Sequence, residues 1–295
     1  MEKIIIWGHK HTDTFSYIHQ AYYKAFKYLG YEVYWFDDKD DVSNFNFSNC
    51  LFFTEGQVQD RIPLDKSSKY ILHHVDPAKY IDNNLHYINL GNYTKHCDEG
   101  VSLNYEGGTV EKVSDYCFWD TQNKTIYQPW ATDLTPNEIN TNDAISFNEE
   151  EPDCYIVGTV HENLKNIKLF SEGLNDLGKT LKVVRTSPVD DVARDLIRKS
   201  FISADIRGDW HLECGYIPCR VFKNISYGRI TGTNSENVKN IFKEHVVYNP
   251  NPKELSKDLV RYERESSIED IKASMNFIKE NHTFINRINN LINLL

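Results

Sequence analysis

No Cys-x-x-Cys pair occurs in this 295-residue sequence, which argues against a zinc knuckle. The six cysteines (Cys50, Cys97, Cys117, Cys154, Cys214, Cys219) are scattered, as reduced structural thiols are and a disulfide framework is not. No segment approaches the roughly 20 apolar residues that a membrane span needs, and the opening MEKIIIWG is too short an apolar run for a signal peptide. A soluble, cytoplasmic protein without a membrane span is therefore expected. Clusters of Lys and Arg are missing too, and the formal net charge is −10. Nucleic-acid binders neutralise several phosphates with clustered cations, so nucleic acid is not an expected partner. A small phosphate ligand needs only one or two cations and stays compatible with an acidic chain. Tandem repeats and low-complexity tracts are absent, and the first loop lacks Gly-x-Gly-x-x-Gly, which disfavours a nicotinamide cofactor.

What is present is globular in composition, with 40% hydrophobic and 26% charged residues, enough chain for one large domain or two ordinary ones. Lys3–Trp7 is a short apolar run bounded by Gly8 and reads as a buried strand. After a polar loop, Phe15, Ile18, Tyr22, Ala25, Phe26 and Leu29 recur at helical spacing until Gly30 stops them. The aromatic and β-branched run Glu32–Phe36 follows and ends in Asp37-Asp38, which completes a βαβ unit and implies a parallel sheet. Further strands are expected at Cys50–Thr54, Tyr70–His74 and His86–Leu90. Short strands and turns are expected over Val101–Tyr127.

Between Gln128 and Asp153 the chain holds three prolines, four asparagines and an acidic run, the composition of a linker. The α/β pattern then restarts with a strand at Cys154–Val157, a turn at Gly158-Thr159, a helix at Asn163–Leu177 and a strand at Leu181–Arg185. A helix over Arg220–Tyr227 is flanked by the turn residues Gly215, Pro218, Gly228 and Gly232. From Pro252 to Leu295 the spacing predicts helix throughout. The expected layout is an N-terminal domain over 1–135, a linker over 136–152, a C-terminal domain over 153–265, and closing helices over 266–295.

Two polar clusters carry candidate chemistry. In open α/β sheets, ligands sit beyond the carboxyl ends of strands, where turns expose backbone N–H groups and helix N-termini attract anions. Arg220, in the first turn of its helix, is suited to a forked contact with a diphosphate. Asn234 and Ser235, in the loop after the next strand, are suited either to capping a helix or to touching phosphate. The other cluster is GHKHTDTFS, after the first strand, where His9, His11 or Asp13 could take a proton from a hydroxyl. Thr12 and Ser16 could instead cap the following helix.

The run GYIPCRVFKNISYG resembles the donor-binding region of group-1-like GT-B glycosyltransferases, a Gly-x-x-Pro-x-Arg-x-Phe-Glu-Ala pattern that leads to a glycine. Gly215, Pro218, Arg220, Phe222 and Gly228 match it, while Lys223 stands where the family carries a ribose-binding Glu. Lys cannot accept a hydrogen bond, so Glu213 or Glu236 would have to take that role, or the donor would be held differently. The resemblance implies an α/β fold of two Rossmann-like domains facing a cleft, with the C-terminal helices packing back on the N-terminal domain. It implies transfer of a sugar from a nucleotide-diphosphate donor, a UDP- or GDP-sugar, to a hydroxyl of a glycan or other acceptor, with no cofactor and no metal.

On that resemblance the donor side includes Gly158, Thr159 and Lys165, the last where relatives carry a phosphate-binding cation, together with Arg185. Glu213, Gly215, Tyr216, Arg220, Phe222, Lys223, Asn234 and Ser235 complete it. His11, Asp13 and His9 are the candidate catalytic residues, and His74, Asp76 and Trp130 the candidate acceptor residues. A rival reading takes His9-x-His11 as similar to the metal pair of PHP-type metallohydrolases, completed by His73, His74 and Asp76. The linker interrupts the strand rhythm that such a barrel needs. A non-catalytic protein that binds nucleotide sugar is a third reading.

Overall fold

The computed structural model describes residues 3–10, 14–55, 58–92, 110–160, 164–185 and 191–295. The chain packs as two compact units, and it passes between them at Pro129/Trp130 and again at Thr283/Phe284.

The first unit is built on an eight-stranded sheet in the order β2-β1-β3-β4-β5-β8-β7-β6. Its strands are β1 (Lys3–Trp7), β2 (Val33–Phe36), β3 (Cys50–Glu55), β4 (Lys69–His73), β5 (His86–Gly91), β6 (Val110–Ser114), β7 (Cys117–Asp120) and β8 (Thr125–Tyr127). Strands β1 to β5 and β8 run parallel, and β7 runs antiparallel to both β8 and the edge strand β6. Alternation along the strands sends Ile5, Trp7, Phe52, Tyr70 and Leu72 into one core face. On the other side, helix α1 (Thr14–Tyr28) stacks Tyr22 on Phe53, ring centroids 4.1 Å apart, and a short α2 (Ala78–Asp82) follows β4. Asp37 and Asp38, at the end of β2, are occupied by local structure. The Asp38 carboxylate accepts from Trp7 Nε1 at 3.0 Å and from the Asp60 and Arg61 backbone N–H groups.

The second unit repeats the α/β pattern with smaller ladders. Strands β9 (Asp153–Val157) and β10 (Thr180–Val184) pair in parallel, as do β11 (Ser203–Asp205), β12 (Thr231–Thr233) and β13 (Val247–Tyr248). The Phe201 N–H donates to Asp153 O at 2.9 Å and the Tyr155 N–H to Ser200 Oγ at 2.8 Å, which holds β11 beside β9. Helix α3 (Lys165–Asp176) leads from β9 outward to β10, and α4 (Asp191–Lys199) leads back to β11 on the other side. The topology therefore reverses between β9 and β11, and the carboxyl ends of those two strands frame the place where such sheets bind ligands. Helices α5 (Asp209–Glu213), α6 (Cys219–Ser226) and α7 (Glu236–Phe242) follow β11 and β12.

The C-terminal segment, expected to be helix throughout, is three helices: α8 (Pro252–Glu265), α9 (Ile268–Asn281) and α10 (Phe284–Ile292). Ser267 breaks the first junction, because its side chain and that of Asp270 form a reciprocal capping box that starts α9 anew. At the second junction the Thr132 N–H donates to His282 O at 3.1 Å. Only α10 belongs to the first unit, where Phe284 meets Tyr22 at 4.7 Å and Arg287 Nε donates to Pro129 O at 2.8 Å. Helices α8 and α9 stay with the second unit, as does the segment 136–152, whose Asp143 O lies against Gly228.

Candidate functional site

Helix α6 sets the site. Gly215 takes φ +68, a left-handed value that glycine tolerates, and lets the Tyr216 N–H close a turn onto His211 O at 3.1 Å. Pro218 sits extended at the N-cap, so Cys219 and Arg220 occupy the first helical turn. Val221, Phe222 and Ile225 are fully buried, and Phe222 packs on Phe242 with ring centroids 5.0 Å apart. Phe222 is thus a core anchor that fixes the helix.

Arg220 points inward beneath that helix start. Its Nε donates to Val157 O at 3.1 Å, at the end of β9, and its Nη1 to Asp205 Oδ1 at 3.1 Å, at the end of β11. Gly158 follows Val157 with φ +113, and a Cβ there would stand 3.3 Å from Arg220 Nη2. Asp205 also accepts from Arg207, through Nε at 2.8 Å and through Nη2. Side-chain exposure is 0% for Asp205, 7% for Arg207 and 9% for Arg220. Two buried guanidiniums therefore share one buried carboxylate, which leaves one net positive charge at the carboxyl ends of β9 and β11.

The three groups shift one another in a consistent way. Burial pushes the Asp205 carboxyl up, but Arg207 and Arg220 outweigh it and hold its pKa below the ordinary carboxylate value. Burial and the neighbouring Arg207 lower Arg220 to about 10, which still leaves it charged at neutral pH. Arg207 carries the forked contact with Asp205, which more than offsets its burial and raises its pKa.

The loop that carries Arg207 is fixed from two sides. Asn234 exchanges hydrogen bonds with the Arg207 backbone, accepting its N–H at 2.8 Å and donating to its carbonyl at 3.0 Å. Asn166, in α3, donates to the same carbonyl at 2.7 Å. Ser235 caps α7, its Oγ accepting from the Val238 N–H at 3.5 Å. Asn234 and Ser235 thus serve the backbone around the site.

An aromatic series adjoins the cluster. The Arg207 guanidinium lies 5.8 Å from the Tyr216 ring centre, and Tyr216 lies 5.2 Å from His211. Burial pushes the Tyr216 hydroxyl up to about 12, so it stays neutral, and it accepts from Trp130 Nε1 at 3.3 Å. Trp130 is 1% exposed, so its indole is packed into the second unit and offers no open ring face to an acceptor.

Thr159, Lys165, Arg185 and Glu213 are exposed, Lys165 as the first residue of α3. Lys223 is half-buried, with Nζ 5.9 Å from the Tyr227 ring centre. In the first unit, His9 is half-buried and its carbonyl accepts from Ser16 Oγ at 3.0 Å. His11 and Asp13 lie outside the described residues. His74 is largely exposed with φ +53, uncommon for a residue with a side chain, and the partial desolvation of its ring lowers its pKa. The Asp76 carboxylate accepts from the Ala78 N–H at 3.0 Å and starts a turn. Among the described residues no three His, Cys, Asp or Glu side chains gather as metal ligands would.

Asp205 and Arg207 are absent from the residues that the sequence reading selected. The available signal was Asp-Ile-Arg at a strand end, where residues two apart share a face.

The two units and their order along the chain match a GT-B fold. No family model matches the sequence, and no curated protein does. Among solved structures, T4 phage BGT in complex with its UDP-glucose substrate superposes with a TM-score of 0.55 at 10% identity, over 98% of both chains. A structure described as trehalose-6-phosphate from E. coli bound with UDP-2-fluoro glucose gives 0.49 at 9% identity over 97% of each chain. Trehalose-6-phosphate synthase OtsA gives 0.45 at 9% identity, over 92% of this chain and 74% of that one.

Proposed function

We propose that the chain is a glycosyltransferase that moves a sugar from a nucleotide-diphosphate donor to a hydroxyl acceptor. One observation carries this reading: Arg220 and Arg207 are buried around a single carboxylate, at the strand ends where a doubly wound sheet receives its ligand. A buried excess of positive charge is costly unless an anion completes it, and a diphosphate is such an anion. The UDP-glucose in the T4 phage BGT structure, whose fold this chain shares, agrees with that donor chemistry.

In the proposed reaction the acceptor hydroxyl attacks the anomeric carbon while the bond from that carbon to the diphosphate oxygen breaks. The guanidiniums and the N-terminus of α6 stabilise the charge that grows on the departing diphosphate. The hydroxyl proton passes to a base of the first unit, for which His11, Asp13 and His9 are the candidates. Gly158 and Thr159 border the diphosphate, with Lys165 and Arg185 as outlying cations. His74 and Asp76 are the candidates for acceptor contacts. A cytosolic setting accords with the described cysteines, which are free thiols.

Calorimetric titration with UDP and GDP tests the donor site. Arg220→Ala is expected to weaken nucleotide binding by about tenfold to a hundredfold, the worth of a charged hydrogen bond to phosphate. An unchanged affinity overturns the reading. Release of nucleoside diphosphate from UDP- or GDP-sugars, with hydroxyl acceptors and EDTA present, tests the transfer itself. Binding without turnover for any glycan would identify a non-catalytic sugar-nucleotide binder.

A further inference from the structure

Each guanidinium has five N–H donors, and their use can be followed one by one. Arg207 gives Nε and Nη2 to Asp205, and its Nη1 has no hydrogen-bond partner among the described residues. Arg220 gives Nε to Val157 O and Nη1 to Asp205, and its Nη2, beside Gly158, has none either. One unused edge remains on each cation. Both side chains are more than nine-tenths buried as a whole, yet neither unused nitrogen is among the fully enclosed polar atoms, so each open edge can be reached by a ligand.

Asp205 itself is 0% exposed, and its Oδ1 bridges the two guanidiniums. The bridge fixes their spacing, and without it two like charges at close range would repel. The Arg207 backbone cannot adjust freely, because Asn166 and Asn234 hold it.

The geometry points to Asp205 as the positioning residue of this site: it does not touch the ligand, and it aims Arg207 and Arg220 so that each grips one phosphate of a diphosphate. The inference rests on the nucleotide-sugar reading and adds Arg207 as a second phosphate ligand. A monophosphate ester meets only one of the two open edges, so the pair selects diphosphate over monophosphate donors.

Charge and position predict opposite signs for Asp205→Asn. If the carboxylate only diluted the positive charge, its removal would tighten anion binding. A positioning carboxylate, once removed, lets the guanidiniums part and loosens it.

The experiment is calorimetry of UDP, UMP and inorganic pyrophosphate with the full chain, with Asp205→Asn, and with Arg207→Lys. The Lys variant keeps the charge and loses the fork. Both variants are expected to lose about tenfold in affinity for UDP and pyrophosphate, a loss typical of one misplaced charged contact, and to lose much less for UMP. Asp205→Asn binding UDP as tightly as the parent, or more tightly, overturns the inference. Equal losses for UDP and UMP also overturn it, since that is what general structural damage produces. If melting curves show Asp205→Asn unfolded, Arg207→Lys decides by the same UDP-to-UMP ratio. A parent chain that binds neither UDP nor pyrophosphate overturns the nucleotide-sugar reading itself, an outcome distinct from a binding parent with an indifferent variant.

Discussion

Glu263 and Arg229 meet at 3.2 Å in the second unit, each with a side chain only 1% exposed. Arg229 also donates to Phe201 O at 2.9 Å and to Arg198 O at 3.2 Å, behind the end of α4. Glu263 Oε2 and Arg229 Nε have no partner among the described residues. Burial pushes the Glu263 carboxyl up, Arg229 only partly counters it, and the group titrates at about 7 instead of 4.5.

The folded chain therefore keeps a proton that the unfolded chain has released. Stability from this group is full below the unfolded value and declines as pH rises through the folded one, by roughly 3 kcal/mol in total. Glu263→Gln removes that dependence. Urea unfolding between pH 5 and 8 should show the parent losing stability relative to the variant as pH rises. Parallel curves would exclude the assigned titration.

Gly228 closes α6 with φ +90, and a Cβ there would stand 2.3 Å from Asp143 O. Both the backbone conformation and the contact oppose a side chain, and the obstacle is main chain that cannot rotate away. Gly228→Ala is expected to cost about 3 kcal/mol or more, read as a lowered denaturant midpoint. A variant within about 0.5 kcal/mol of the parent would show that the 136–152 segment yields easily.

Much of the frame was legible, and the reasons differ along the chain. Lys3–Trp7, the α1 spacing and the restart at Cys154 were readable because apolar periodicity reports burial directly. Arg220 was readable because Gly215 and Pro218 fix where its helix begins. Its burial was not, since a cation in a first helical turn reads as surface until a carboxylate from another strand is placed beside it. Asp205 and Arg207 were missed for the same reason: their meaning depends on β11 lying next to β9. Trp130 was a candidate acceptor residue because its segment has a linker's composition, and in the structure Tyr216 accepts its N–H and packing buries it. In the C-terminal stretch, read as helix from Pro252 onward, the boundary drawn at 265/266 coincides with the end of α8, and the capping pair Ser267 and Asp270 is the stop that explains it.

That cap yields a modest expectation. The Ser267 and Asp270 side chains satisfy two donors at the start of α9, and Ser267→Ala leaves the Asp270 N–H without its partner while the Asp270 carboxylate still accepts from the residue 267 N–H. The expected loss is about 1 kcal/mol, measured by thermal or urea unfolding, with nucleotide binding unchanged. A loss of nucleotide affinity in this variant would mean that the start of α9 is coupled to the anion site through α6, against which α9 packs.

Gly158 allows the sharpest separation of stability from binding. Its φ of +113 strains any side chain, and its N–H is already committed to Val184 O at 2.9 Å. A Cβ at that position would press on Arg220 Nη2 from 3.3 Å, on the edge proposed to face the phosphate. Gly158→Ala should therefore cost about 1 to 3 kcal/mol of stability through backbone strain, and should also weaken UDP binding. The control is Gly178→Ala, at the end of α3, where φ is +71 and nothing stands within 4 Å of the added Cβ. It carries comparable strain without touching Arg220, so it should lose stability alone. If both variants keep the parent's UDP affinity while folded, Arg220 Nη2 is not the phosphate contact. If both lose it equally, the loss reports weakened folding. Only a selective loss in Gly158→Ala is consistent with a ligand held between that glycine and Arg220.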